Sequence, residues 1–323
     1  MSGPSSKTLS AAKLPPSEEL AQLRSALLAW HRRHGLRAPW RVSGDAYQAL
    51  VAAVMAQQTQ MSRVLPKFDE FIEAFPTVEA LAAASAGEVL RIWAPLGYNL
   101  RAVRLHRASR QIVQQGGFAR TAVELERIDG IGPFTAAIVT SFSFGERVAA
   151  IDTNVSRVVA RAFAGDVEGR IPERALRPAA EALVAPRAAG RWNQAMMDLG
   201  GLVCTARAPR CGACPLARWC CARPRFAANG VRRVAEARAP YRVEPPFKGS
   251  RRYYRGRIVQ ALRELPPNAT LSPARLLARL REVEACPSEA SDGFDLAGLR
   301  ALASALERDG LVRIDTRGRV GLP

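Results

Sequence analysis

Five of the six cysteines fall within eighteen residues, as Cys204-TARAPR-Cys211-GA-Cys214-PLARW-Cys220-Cys221, and this cluster constrains the chain more than any other feature. The opening stretch, MSGPSSKTLSAAKLPPSEEL, has no apolar core, so no secretory leader is expected and the cysteines belong in a reducing compartment. Clustered thiols there bind metal more often than they pair as disulfides. The six-two-five spacing of Cys204, Cys211, Cys214 and Cys220 brings four thiolates into one loop, a cage suited to a [4Fe–4S] cluster. Structural zinc is the rival. It usually takes two short pairs separated by a longer stretch, whereas here one pair is flanked by single cysteines. Cys221 is spare by this spacing, and Cys286, isolated in sequence, reads as a small buried hydrophobe.

The partner is suggested by charge. Lys and Arg number 47 against 29 Asp and Glu, a net +18, and only Lys7, Lys13, Lys67 and Lys248 among the cations are lysines. Such a surplus favours a polyanion through counterion release. An arginine-rich genome would give the same number, so charge points to nucleic acid without establishing it. No apolar run reaches the ~18–20 residues of a membrane helix, so no membrane partner is expected.

Hydrophobic periodicity organises the chain. Residues 1–17 are Ser, Pro, Ala and Lys without a pattern, a disordered tail. Glu18 to His34 repeats apolar positions at helical spacing, and Ala46 to Ala56 is apolar nearly all round, a buried helix. Further helices are expected at 62–74, 78–83, 86–94, 101–115 and 121–127, with strand-like alternation nearly absent before residue 310. The body, 18–224, is therefore all-α. Residues 225–250 read as an extended basic linker. Residues 251–323 carry three helical stretches (253–265, 273–284, 296–309) and then an alternating hairpin, the order of a winged helix.

Two motifs carry chemistry. In the 125–137 segment, Gly130-Ile-Gly132 ends one helix and Pro133 starts the next, a helix-hairpin-helix turn that lets backbone N–H groups approach a phosphate. Such a turn can equally be purely structural. Asp152, in Ile151-Asp152-Thr-Asn154-Val155, follows an apolar run and precedes a helix. It is an ideal N-cap, a role compatible with facing a ligand.

These residues resemble one family. Ala38-Pro-Trp40, Met55-Ala-Gln57-Gln58-Thr59-Gln60, Leu96-Gly97-Tyr98, Gly130-Ile-Gly132, Ile151-Asp152-Thr-Asn154-Val155, Asn193-Gln-Ala-Met-Met-Asp198-Leu-Gly200 and the four cysteines occur in the order found in DNA glycosylases of the helix-hairpin-helix (GPD) superfamily. The resemblance is closest to the A/G-mismatch adenine DNA glycosylases and more distant to endonuclease III. It implies a two-lobed helical body with a DNA cleft, double-stranded DNA as partner with a base flipped into a pocket, and a [4Fe–4S] loop at 204–221 carrying Arg207 and Arg210 toward phosphates. It implies Gln57, Gln58 and Thr59 at the opened stack, Gly130, Gly132 and Thr135 in the phosphate grip, and Asp152 as the carboxylate that stabilises the sugar cation. A monomer in the cytoplasm, nucleoid-associated in a bacterium, is expected.

The sequence departs from the family in two places. Adenine is a poor leaving group, and the adenine glycosylases protonate it with a glutamate four residues before the first Gln of this stretch. That position is Ala53, and no other carboxylate lies in 46–68. Phe134 stands where bifunctional members carry a Schiff-base lysine, and no lysine occurs between Lys67 and Lys248, so no β-lyase activity is expected. Residues 250–323 are also too few and too helical for the Nudix-like domain of the long adenine glycosylases. Two readings follow: a monofunctional glycosylase acting on a base that needs no protonation, or a catalytically silent lesion-binding protein of the same fold. RNA binding is disfavoured, because the hairpin suits duplex DNA backbone. The basic-aromatic stretch from Phe247 to Arg257 suits DNA or a solvated helix start equally. The three histidines lie far in sequence from the motifs, and Trp40, Trp93 and Trp192 read as core.

Overall fold

The computed structural model describes residues 13–168, 171–228, 247–282 and 294–323. The expectations for most of the 1–17 tail, most of the 225–250 linker and Cys286 lie outside the described residues.

The helical periodicity becomes helix. The chain runs through α1 (Ser17–His34), α2 (Ala46–Ala56), α3 (Met61–Ala74), α4 (Val78–Ala83), α5 (Ala86–Trp93) and α6 (Leu100–Gln114). It continues with α7 (Ala122–Leu125), α8 (Pro133–Ser143), α9 (Thr153–Ala164), α10 (Glu173–Leu183), α11 (Ala189–Leu202) and α12 (Arg223–Ala228). Beyond residue 247 lie α13 (Arg251–Arg263), α14 (Pro273–Glu282) and α15 (Leu296–Arg308), with strands β1 (Thr270–Leu271), β2 (Arg313–Ile314) and β3 (Val320–Gly321). Short polar side chains set several helix starts. Ser85 accepts from Glu88 N at 3.1 Å while the Glu88 carboxylate accepts from Ser85 N at 2.8 Å, a capping box that opens α5. Thr77, Thr121, Ser250 and Asp295 cap α4, α7, α13 and α15 singly, each worth about 1 kcal/mol.

The chain forms two compact units. The first comprises Met1–Leu50, Ala119–Arg127 and Ile131–Tyr241. In it α11 packs on α1, α8 and α9, around a core that includes Leu27, Val159, Phe163, Leu183 and Trp192. The Asn193 side chain accepts from Ala150 N at 3.2 Å and donates to Val148 O at 2.9 Å and Ser141 Oγ at 3.0 Å. It thereby fixes the extended run that leads into Asp152. The motif residue Asp198 is structural: its carboxylate takes two bonds from Arg41, at 2.7 and 3.0 Å, and one from Leu36 N at 2.8 Å. His31 Nε2 stands 3.3 Å from it.

The second unit comprises Val51–Phe118, Ile128–Gly130 and Arg242–Pro323. Here α6 packs on α4 and α5, with Phe71, Phe75 and Trp93 meeting edge to face. Three helices, α13 to α15, surround a small antiparallel sheet in the order β1-β3-β2. The β2–β3 hairpin pairs Arg313 with Gly321 and Ile314 with Val320. The third strand, β1, is the one strand before residue 310 among the described residues, in keeping with the near absence of strand expected there. Its two residues are too short for any alternation to register. Among the described residues, no helix is long and apolar enough to cross a membrane.

Candidate functional site

Asp152 caps α9. Its Oδ1 accepts from Val155 N at 2.7 Å and its Oδ2 from Asn154 Nδ2 at 2.9 Å. The carboxylate is half-buried at the start of the helix. Behind it, Asn154 Oδ1 accepts from Arg157 Nη2 at 2.7 Å. Arg157 also donates to Gly200 O and Cys204 O, both at 2.8 Å. One turn further along α9, the buried Arg161 donates to Thr205 O at 2.7 Å, Ala206 O at 2.8 Å and Cys204 Sγ at 3.7 Å. The helix that presents the carboxylate thus also anchors the first cysteine of the loop.

The cysteine loop has the donor chemistry of a cluster. Burial pushes the Cys214 thiol up to about 12, and the charges of Cys204, Cys220 and Cys211 push the same way. Cys211 and Cys220 are raised as well, chiefly by burial, with neighbouring thiols pushing the same way. Thiols raised in this way ionise against a cationic metal centre, as thiolate ligands of a cluster do. Cys221 is exposed and stands outside the four. Arg207 and Arg210 are exposed on the loop, and Arg210 donates to Leu202 O.

The two hairpin glycines differ in kind. Gly130 has φ +88°, and a Cβ there would lie 2.9 Å from Arg104 Cβ, so the fold itself demands glycine. Gly132, the N-cap of α8, has an ordinary extended backbone, and its Cβ would meet nothing within 4 Å. It is exposed, and the first turn of α8 opens beside it with unpaired N–H groups. Thr135 is a correction. Its side chain is 2% exposed, packed into the helix interface, so only its main chain is available to a phosphate.

Gln57 and Gln58 are exposed just past α2, and Gln58 has φ +52°, a left-handed conformation unusual for its type. Arg101 of α6 holds this loop. It is buried and donates to Val54 O and Met55 O at 3.0 Å, to Gln57 O, to Thr59 Oγ1 at 3.1 Å and to Gly97 O at 3.3 Å. Burial lowers its pKa to about 10. Sequence reasoning missed both Arg101 and the standing of Tyr98. Tyr98 has φ +45°, is 58% exposed, and lies with its ring centroid 5.4 Å from the Arg101 guanidinium. An exposed aromatic after a glycine was the available signal. Ala53 is 8% exposed on α2, and Phe134 is half-buried in the first turn of α8. Trp40, Trp93 and Trp192 are core, as expected.

The HhH-GPD superfamily of base excision DNA repair proteins matches residues 51–183, and the iron–sulfur binding domain of endonuclease III matches residues 204–220. The adenine DNA glycosylase of Mycolicibacterium smegmatis is 40% identical over 243 residues, covering 74% of this chain and 79% of that protein. The human adenine DNA glycosylase is 36% identical over 220 residues, 64% of this chain and 40% of the human protein. In fold, the chain is similar to a thermostable thymine-DNA glycosylase, with a TM-score of 0.59 at 24% identity over 64% of this chain and 98% of the other. It is also similar to endonuclease III trapped covalently on DNA, with a TM-score of 0.55 at 20% identity over 66% of this chain and 100% of the other.

Proposed function

The chain belongs to the HhH-GPD superfamily of base excision DNA repair proteins and is a DNA-binding glycosylase with a [4Fe–4S] cluster; on that premise we propose that it is a monofunctional glycosylase in which Asp152 is the one catalytic carboxylate. The observation that carries this is the fixing of that carboxylate at the start of α9 by Val155 N and Asn154. Cleavage of the N-glycosidic bond sends the bonding pair to the departing base and leaves a cation on the sugar. The Asp152 carboxylate faces that cation, and water adds at the same carbon with loss of a proton. Ala53 offers no proton to the base, so the favoured substrate leaves as a stabilised anion, such as uracil or an oxidised pyrimidine, or is already cationic from alkylation. Phe134 cannot form a Schiff base, and Lys67 is buried and paired with Glu70, which supports the absence of β-lyase activity.

In this proposal Gly130, Gly132 and the first N–H groups of α8 grip phosphate, with Arg207 and Arg210 adding a second basic contact. Gln57, Gln58 and the exposed ring of Tyr98 occupy the stack as the base flips out. Cys204, Cys211, Cys214 and Cys220 would hold the cluster, and their ligation would tie down the loop that carries Arg207 and Arg210. Residues 1–17 serve as a tail, 225–250 as a basic linker and 251–323 as a winged-helix-like module on the 18–224 body. The protein acts as a cytoplasmic monomer on duplex DNA, away from membranes.

A single-turnover excision assay tests the reading. The duplexes carry uracil, thymine opposite guanine, hypoxanthine, oxidised pyrimidines, alkylated purines, or adenine opposite 8-oxoguanine, with Asp152→Asn as control. Release of a damaged or deaminated base faster than adenine, lost in the control, is the expected result. Faster release of adenine, the base in the relatives' names, refutes the leaving-group argument. Tight lesion binding without excision favours the silent reading, which Ala53 supports, and makes Ala53→Glu the next variant.

A further inference from the structure

Within the second unit, residues 251–323 are seated on α5 and α6 through contacts that no local pattern required. Gly87 N donates to Pro323 O at 2.9 Å, and a Cβ at Gly87 would come within 2.7 Å of that oxygen. Arg91 Nη2 donates to Leu265 O at 3.1 Å. A Cβ at Gly310 would lie 3.3 Å from Val103 of α6. The most telling contact is that of Arg263, the last residue of α13, whose Nη2 donates to Asn99 Oδ1 at 2.6 Å.

Asn99 precedes α6 with a helical backbone, φ −54° and ψ −24°, which does not aim its side chain at the free N–H groups of its own helix. Here its side chain makes no capping bond and accepts from Arg263 instead. Arg263 is deep enough that burial lowers its pKa to about 10, and among the described residues its Nε has no hydrogen-bond partner. A guanidinium is costly to keep under such conditions. The residues immediately before Asn99 are Gly97 at φ +74° and Tyr98 at φ +45°, two successive left-handed residues, the second with a full side chain. A turn of that kind persists only when its surroundings hold it. Trp93 Nε1 and Arg101 hold Gly97 O from within the body, and Arg263 holds Asn99 from the 251–323 module.

We infer that the 251–323 module is part of the DNA-opening apparatus, with Arg263 a positioning residue that fixes Asn99 and so sets the presentation of Tyr98. The inference rests on the reading of Tyr98 as a residue that enters the base stack. It gives the module a task inside the glycosylase reaction, in addition to any DNA contact of its own.

The test uses full-length protein and a duplex carrying a tetrahydrofuran abasic analogue flanked by 2-aminopurine, whose fluorescence rises when it is unstacked. Wild type is expected to give that rise and Tyr98→Ala to lose it. No rise with wild type, or a full rise with Tyr98→Ala, overturns the stacking reading and the inference together. With those controls in place, Arg263→Met and Asn99→Ala are expected to weaken the 2-aminopurine response and the single-turnover rate by about ten- to a hundred-fold. Affinity for undamaged duplex and the melting temperature should stay close to wild type. Asn99→Asp, which keeps an acceptor for Arg263, should retain the response. If Asn99→Ala opens DNA as wild type does, the inference fails and the stacking reading stands. Should Arg263→Met lower the melting temperature sharply, Asn99→Ala decides alone, because it leaves the module's own residues intact.

Discussion

Asp152 and Asn154 are joined side chain to side chain, Asn154 Nδ2 donating to Asp152 Oδ2 at 2.9 Å, while Oδ1 of the same carboxylate caps α9 through Val155 N. The cap is one role and the proposed catalytic one a second, and substitution separates them. Asparagine caps a helix about as well as aspartate. Asp152→Asn should keep the melting temperature and DNA affinity but lower single-turnover excision about a hundred- to a thousand-fold, the scale for losing a group that meets transition-state charge. Asp152→Ala should lose the same activity and in addition about 1 kcal/mol of stability, measured by chemical denaturation. Equal activity for Asp152→Asn and wild type would leave only the capping role.

The hairpin glycines should respond in opposite ways. Gly130→Ala forces a side chain into φ +88° and against Arg104, costing about 1–2 kcal/mol of stability. Gly132→Ala meets neither strain nor neighbour, so its melting temperature should not fall. Its methyl would instead occupy the space where a phosphate meets the start of α8. Charge-assisted bonds of about 1.5–3 kcal/mol are at stake there, a loss of about ten-fold or more in affinity for undamaged duplex. Titrations at several salt concentrations would check it, and unchanged affinity for Gly132→Ala would mean the turn is only a connector.

Much of this architecture was legible in the sequence, because core-facing periodicity and cap residues are local signals. The helices from α2 to α6 fall within a residue or two of the expected spans, and Asp152 carries the cap its position announces. What stayed hidden depends on distant partners. Arg101, Arg157 and Arg161 are three among many arginines, and nothing in their spacing reveals that each terminates on main-chain oxygens of other segments. Thr135 sits next to the glycine turn in sequence, yet the helical rotation of its first turn carries it into the core. Asp198 belonged to a family-like motif, but its geometry makes it an anchor for Arg41 and Leu36.

That anchor should show in acid. Burial alone would raise the Asp198 carboxyl, but the contact with His31, the bonds and charge of Arg41 and the Leu36 N–H together hold it below the ordinary range. A depressed carboxylate contributes stability that is present above its unfolded value, about 3.9, and is lost as pH falls through the lower folded value. Wild type should lose stability below about pH 4 by this route. Asp198→Asn should lack that part of the acid limb and be less stable at neutral pH by about 3–5 kcal/mol, since Arg41 is left buried without a counter-charge. Denaturation curves at a series of pH values measure both, and a neutral-pH loss under about 1 kcal/mol would place Asp198 among ordinary surface pairs.

Arg157 ties the two chemistries of this chain together. It reaches Asn154, which bonds the Asp152 carboxylate, and the main-chain oxygen of Cys204, the first cysteine of the cluster loop. A lysine has one donor centre in place of the planar fork and cannot serve both sites and Gly200 O together. Arg157→Lys should therefore lower the excision rate about ten- to a hundred-fold, the usual effect of losing an outer hydrogen-bond partner. Binding of undamaged duplex should hold, because the hairpin and its N–H groups are untouched. The iron–sulfur visible absorbance should also bleach faster in the variant on exposure to chelator. If the rate falls while the cluster resists chelator as wild type does, Arg157 acts only through Asn154. If the cluster is lost with the rate unchanged, the carboxylate keeps its orientation from the α9 cap alone, and the link through Arg157 is structural rather than catalytic.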